Sequence, residues 1–101
     1  MATPDYNKAS YDEYGYNHIS TNTTTTVKSG SGILRSVTVN TKGATANTAT
    51  VYDNTAGSGA VIAVIDTTAS LGTLRYDVVF STGLTVVTAS GTAADLTVSY
   101  T

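Results

Sequence analysis

Between Gly72 and Thr101, apolar and polar positions alternate with a period of two, the spacing that sends neighbouring side chains to opposite faces of a sheet. Leu74, Tyr76, Val78 and Phe80 share one face, with Thr73, Arg75 and Asp77 on the other. Leu96, Val98 and Tyr100 alternate in the same way with Asp95, Thr97 and Ser99. The run Leu84–Thr88 between them is more uniformly apolar, as in a strand buried on both sides. Ser-Thr-Gly and Ser-Gly-Thr signals separate the three runs, so the stretch is expected to form an antiparallel meander with one dry face.

The same pattern continues upstream. His18–Lys28, a Thr run flanked by Ile19 and Val27, is expected as a long, mostly exposed edge strand. After the Ser29–Gly32 turn, Val37 and Val39 set the inward face of a strand over Ile33–Thr41. Ile33-Leu34-Arg35 breaks that alternation, and a β-bulge near Leu34 restores it. Lys42-Gly43-Ala44 is a turn, and Asn47–Asp53 is a strand with Val51 inward and Tyr52 on the other face. The loop Asp53–Gly59 is rich in residues that accept unusual backbone angles. Ala60–Asp66 is apolar on both faces and is expected in the middle of a sheet, linked by Thr67–Leu71 to the closing stretch. Seven to eight short strands at this spacing, with no helical period, predict an all-β chain: a jelly-roll-like antiparallel β-sandwich.

Residues 1–16 break the pattern. They hold four of the seven tyrosines (Tyr6, Tyr11, Tyr14, Tyr16), together with Asp5, Asp12 and Glu13, but no Val, Ile or Leu. Such a segment lacks the aliphatic content for a core of its own. Its tyrosines are nevertheless residues favoured at interfaces. The chain is therefore divided into an extended N-terminal arm (1–16), expected to lie on another surface, and a sandwich domain (17–101).

Composition sharpens this picture at four points. A chain of 101 residues is one domain, able to bury about two-thirds of its unfolded surface, so its core is thin. Charged residues make up 12%, roughly half the usual ~25%, and threonine carries much of the remaining surface. The net charge of −2, with Lys8, Lys28, Arg35, Lys42 and Arg75 dispersed, argues against a nucleic-acid partner. The lack of cysteine, of a basic-then-apolar leader and of an apolar run near the ~18 residues of a membrane span leads to the expectation of a soluble protein made in a reducing cytoplasm, with no membrane partner.

Catalytic signals are weak. His18 is the one histidine and has no Ser or Cys partner at a recognisable spacing. Asp53, Asp66, Asp77 and Asp95 fall at turns or on polar faces, and few aromatics outside the arm remain to line a sugar cleft. Asp53-Asn54-Thr55-Ala56-Gly57 lacks the ligand spacing and closing Glu of a calcium loop. Gly30-Ser31-Gly32 and Gly57-Ser58-Gly59 are too short for a phosphate loop and precede strands, and Asn22-Thr23-Thr24 is a sequon in a Thr-rich run. No enzyme activity, cofactor or metal is expected. Arg35 and Arg75 interrupt β runs and are candidates for cross-strand ion pairs or a subunit interface.

The segments VKSGSGILRSVTVNTKG, VYDNTAGSG and FSTGLTVVTASGTAADLTVSY resemble small structural proteins of tailed-bacteriophage virions, in particular capsid decoration (cement) proteins. The resemblance covers about Thr26 to Tyr100 and leaves the arm outside it. It implies a jelly-roll-like fold, assembly as a homotrimer on the capsid surface, and a role in binding and stabilising neighbouring major capsid protein subunits. It carries over no catalytic residues. Under it the protein is made in the host cytoplasm and resides in the virion, and Tyr6, Tyr11, Tyr14, Tyr16, Arg35 and Arg75 are the expected contacts with the capsid or a neighbouring protomer. The alternative is a tail-fibre or spike domain that binds a host-surface receptor or glycan.

Overall fold

The structure, a computed structural model, describes residues 14–69 and 71–101. Eight strands follow one another: β1 (Gly15–Ile19), β2 (Thr24–Ser29), β3 (Gly32–Thr41), β4 (Thr48–Asp53), β5 (Ala60–Asp66), β6 (Gly72–Phe80), β7 (Gly83–Ala89) and β8 (Asp95–Tyr100). They form two four-stranded sheets, ordered β1-β8-β3-β6 and β2-β7-β4-β5, with every pairing antiparallel. β1 pairs with β8, β2 with β7, β3 with β6 and β4 with β5. The chain is thus one long hairpin, tipped at the β4–β5 loop and rolled up so that β8 meets β3 and β7 meets β4. This is the jelly roll.

The dry faces of the two sheets meet in one core. Ile19, Leu34, Val37, Val39, Phe80, Leu96 and Val98 come from the first sheet, and Val27, Ala49, Val51, Ile65, Leu84 and Val86 from the second. Each buried Val, Leu, Ile or Phe contributes about 1.5–3 kcal/mol relative to an exposed one.

β4 carries a polar keystone at each end. Before it, buried Asn47 donates from Nδ2 to Asn22 Oδ1 (2.8 Å), Ser90 O (2.8 Å) and Ala89 O (3.1 Å). Its Oδ1 accepts from Thr67 Oγ1 (2.6 Å) and from the Ala94 amide (3.3 Å). One side chain therefore ties together the β1–β2, β5–β6 and β7–β8 connections. At the other end, the Asp53 carboxylate accepts from the amides of Ser81 (3.0 Å), Thr82 (2.8 Å) and Gly83 (3.4 Å), holding the corner between β6 and β7. The Ser81 amide, followed by that of Thr82, pulls the Asp53 pKa below the ordinary carboxylate value.

Three sequence expectations need correction. Gly72–Thr101 is not a meander: β6 and β8 lie in one sheet with β3 between them, and β7 lies in the other. Alternation shows which face of a strand is dry, but a short Ser-Thr connection serves equally as a hairpin turn or as a corner between sheets. Second, His18–Lys28 is not a single strand; it turns a corner at residues 20–23, and its halves β1 and β2 edge different sheets. Third, β5 is an edge strand and not a central one, and it leaves Val61 (53%) and Val64 (66%) exposed.

Other expectations hold. The bulge near Leu34 is present as a register shift between Leu34 and Ser36 against both β6 and β8. β7 is buried along most of its length because the β4–β5 loop folds back over its outer face. There Thr85 Oγ1 donates to Asn54 O (2.7 Å), Thr26 Oγ1 donates to Thr55 O (3.2 Å), and Gly57 lies against Val87.

Candidate binding face

The outer face of the β1-β8-β3-β6 sheet gathers most of the residues that the sequence singles out. Registers across the sheet place Tyr16, Ser99, Ser36 and Arg75 in one row and His18, Thr97, Thr38 and Thr73 in the next. Four strands at about 4.8 Å spacing make each row about 14 Å wide, and rows two residues apart along a strand lie about 7 Å from one another. The result is a polar face framed by tyrosine and arginine.

The bulge shapes its busiest corner. β6 has one residue more than β3 between the Leu34–Val78 and Ser36–Arg75 pairs, and in that stretch Asp77 adopts a left-handed backbone (φ 52°). Its carboxylate lies between two guanidinium groups, 3.3 Å from Arg35 Nη1 and 3.6 Å from Arg75 Nη1. Arg35 also donates from Nε to Thr101 Oγ1 (3.2 Å) and stacks over the Tyr14 ring at 5.1 Å from its centroid. A guanidinium within about 6 Å of a ring face is held by the ring quadrupole. Arg35 is thereby fixed by three partners, while Arg75, with a side chain 73% exposed, is freer to meet another molecule.

Polar contacts tie the far side of the face together. His18 Nε2 lies 2.7 Å from Asp95 Oδ1, and Asn40 Nδ2 donates to Asp95 Oδ1 (2.9 Å) and Thr97 Oγ1 (3.0 Å). Asn40 is the extra residue of a second bulge in β3, between Val39 and Thr41. The Asn40 bond, then the His18 bond, lowers the Asp95 pKa. The Thr38 and Thr73 hydroxyls are bonded at 2.9 Å. A pre-set lattice of this kind keeps polar side chains in place at little further entropic cost when a partner docks.

Tyr14, Tyr16, Arg35 and Arg75 therefore share one face, and Tyr14 (54%) and Tyr16 (72%) are exposed on it. Tyr6 and Tyr11 lie outside the described residues. β1 begins at Gly15, so Tyr16 is a strand residue although it falls within the expected arm. His18, Asn40, Asp77 and Asp95 were not among the expected contacts, yet they complete the face. In the sequence Asp77 and Asp95 read as polar-face carboxylates, but only the pairing of first strand with last joins His18 to Asp95.

The four carboxylates noted in the sequence are separately engaged: Asp53 at the β6–β7 corner, Asp66 by the amide and hydroxyl of Thr68, Asp77 by the arginines, and Asp95 by His18 and Asn40. Among the described residues, no three His, Cys, Asp or Glu side chains gather into a group able to hold a metal ion. The arrangement suits recognition by shape, hydrogen bonding and charge. Compared with protein-family models, with curated proteins and with solved structures, the chain finds no match.

Proposed function

We propose that the chain is a structural protein of a tailed-phage virion that decorates the capsid exterior and bridges major capsid protein subunits. The observation that carries this reading is the gathering of Tyr14, Tyr16, Arg35 and Arg75 on one hydrogen-bonded sheet face. Tyr and Arg are the residues that anchor protein interfaces, and clustered anchors supply most of the binding energy. The jelly roll hosts many functions, so the fold alone does not decide the matter. The resemblance to cement proteins and the Tyr6/Tyr11 segment immediately upstream of the face point the same way. A thin core also suits a domain that gains stability by binding a partner in its folded form.

The test is co-sedimentation of the full chain with purified, undecorated capsids of the phage that carries it. Tyr16→Ala and Arg75→Glu each weaken binding at least tenfold while the free protein keeps its melting temperature. Removing residues 1–13, which spares β1, also weakens it. Saturating decoration by all three variants at wild-type concentrations would sink the proposal.

One observation favours the alternative, a fibre or spike domain that binds a host receptor or glycan. Thr45, Ala46 and Ser90 take positive φ values (57°, 61° and 72°) in the connections at one end of the sandwich, and such strain clusters at ligand sites. Copy number separates the two readings: hundreds per particle for decoration, dozens or fewer for a fibre.

A further inference from the structure

Among the described residues, and apart from Tyr14 and Tyr16, the exposed large hydrophobic residues all lie on one side of the sandwich: Val61 and Val64 on β5, Leu71 in the connection, Val78 and Val79 on β6. β5 and β6 are the edge strands of their sheets, joined by the short Thr67–Leu71 connection. β5 has no charged residue from Ala60 to Ile65. The other three edges differ: β1 carries His18, β2 carries Lys28 and a bulge, and β6 carries Arg75, Asp77 and a bulge. Charges and bulges are the usual devices that keep a sheet edge from pairing. β5 has a bulge, a register shift against β4 between Val51 and Tyr52, and a single charge, Asp66, at its last position, which leaves six consecutive uncharged residues along its edge.

β5 also has a composition at odds with its position. Ala60-Val61-Ile62-Ala63-Val64-Ile65 is apolar on both faces, as a central strand requires, yet among the described residues no strand pairs with its outer edge. We propose that a second copy of this chain supplies the missing neighbour, β5 pairing antiparallel with β5 across a two-fold axis. The sheets then join as β2-β7-β4-β5-β5-β4-β7-β2. A two-fold contact needs a surface complementary to itself. A strand apolar from Ala60 to Ile65 meets that requirement, since in a centred antiparallel register its one charge, Asp66, falls at opposite ends of the joint in the two copies. Leu71, Val78 and Val79, on the same side, flank the joint.

The area sets the strength. Seven residues at about 3.3 Å make an edge about 23 Å long, and two sheets about 10 Å apart with their side chains make it about 20 Å wide. Each copy then buries about 450 Å², or about 900 Å² together, below the ~1,200–2,000 Å² of stable complexes. The pair belongs to the weak, transient class.

Sedimentation velocity on the full chain, from about 1 µM to 1 mM, tests this. A monomer–dimer equilibrium is expected, together with concentration-dependent protection of β5 amides from hydrogen exchange. Val64→Lys, at a side chain already exposed, leaves the melting curve of the dilute protein unchanged and shifts the midpoint of association at least tenfold upward. A chain monomeric throughout, a dimer indifferent to Val64→Lys, or a trimer of the order implied by the resemblance would overturn the proposal. Capsid binding by a strictly monomeric chain would overturn it while leaving the virion reading intact. Loss of capsid binding with the dimer intact would do the reverse.

Discussion

His18 and Asp95 are 77 residues apart in the chain, and their side chains meet at 2.7 Å. The contact joins the edge strand β1 to β8, and β1 carries Tyr16 and follows directly on Tyr14. It is thus positioned to steady the strand that carries Tyr16.

Acid should loosen that strand. Asp95 has its pKa lowered, first by Asn40 and then by His18, as do Asp53 through the Ser81 and Thr82 amides and Asp66 through Thr68. A carboxylate depressed in the folded state contributes stability that is present above its unfolded value. That contribution is lost as pH falls through the folded value. Stability therefore declines below about pH 4, with the loss extending lower for these three groups than for free carboxylates. Asp66 is exposed and Asp53 and Asp95 are only partly buried, so each effect is small. Melting temperatures measured from pH 6 to pH 2 should fall less steeply in Asp95→Asn than in wild type. Equal slopes would show that the Asp95 contacts are not formed in solution.

Asn47 is the side chain whose loss should be felt most. Its amide satisfies carbonyl and amide groups from three connections in a dry site, and truncation leaves several of them without partners. Each unsatisfied buried group costs about 1–3 kcal/mol. Asn47→Ala should lower stability by about 3 kcal/mol, or about 12–24 °C in melting temperature for a domain of this size. Asn47→Asp tests the donor role separately. A carboxylate set against the carbonyls of Ala89 and Ser90 should do at least as much harm as alanine. A drop of only a few degrees in both variants would show that water replaces the side chain at no loss.

Much of this fold is legible in the sequence, and what escapes does so for identifiable reasons. Leu74, Tyr76 and Phe80 pack inward as their period requires, and the irregularity at Leu34 correctly marks a bulge. Val78 shares their phase and pairs with buried Leu34, yet it is 37% exposed because β6 is an edge. Periodicity reports the face of a strand and is silent on its place in the sheet. The same silence made β5 look central. The candidate face is half legible: Tyr14, Tyr16, Arg35 and Arg75 stand out by residue type. Their meeting depends on β1 pairing with β8 and on the bulge that turns Asp77 toward both arginines, and both are long-range facts.

Two glycines with positive φ should respond differently to alanine. Gly30 (φ 93°) has open space where a Cβ would go, so Gly30→Ala costs only the left-handed backbone, about 1–2 kcal/mol. Gly91 (φ 59°) faces the carbonyls of Ala44 and Thr45, and a Cβ there would run into both. The β7–β8 connection would have to move, breaking the paired backbone bonds between Ala44 and Thr92 (3.1 and 3.0 Å). Gly91→Ala should therefore be at least about 2 kcal/mol worse than Gly30→Ala in denaturant melts. Matching midpoints for the two variants would contradict this packing.

Asp77 separates backbone strain from charge at the arginine corner. As a non-glycine residue with φ 52° it holds a conformation that costs an ordinary residue about 1–2 kcal/mol, less for Asp, whose short polar side chain tolerates it. Its ion pairs with Arg35 and Arg75, on a side chain 42% exposed, return about 0–1 kcal/mol. Asp77→Gly removes both terms, so its stability should stay within about 1 kcal/mol of wild type. Asp77→Val keeps the strain, adds a branched Cβ that resists this φ and removes the charge, and should cost about 2 kcal/mol or more. If valine proves as stable as glycine in chemical denaturation, the left-handed turn is not held in solution. The corner would then owe its shape to the arginines alone. In capsid binding, by contrast, both variants release Arg35 and Arg75 from their shared carboxylate, and both should alter affinity together.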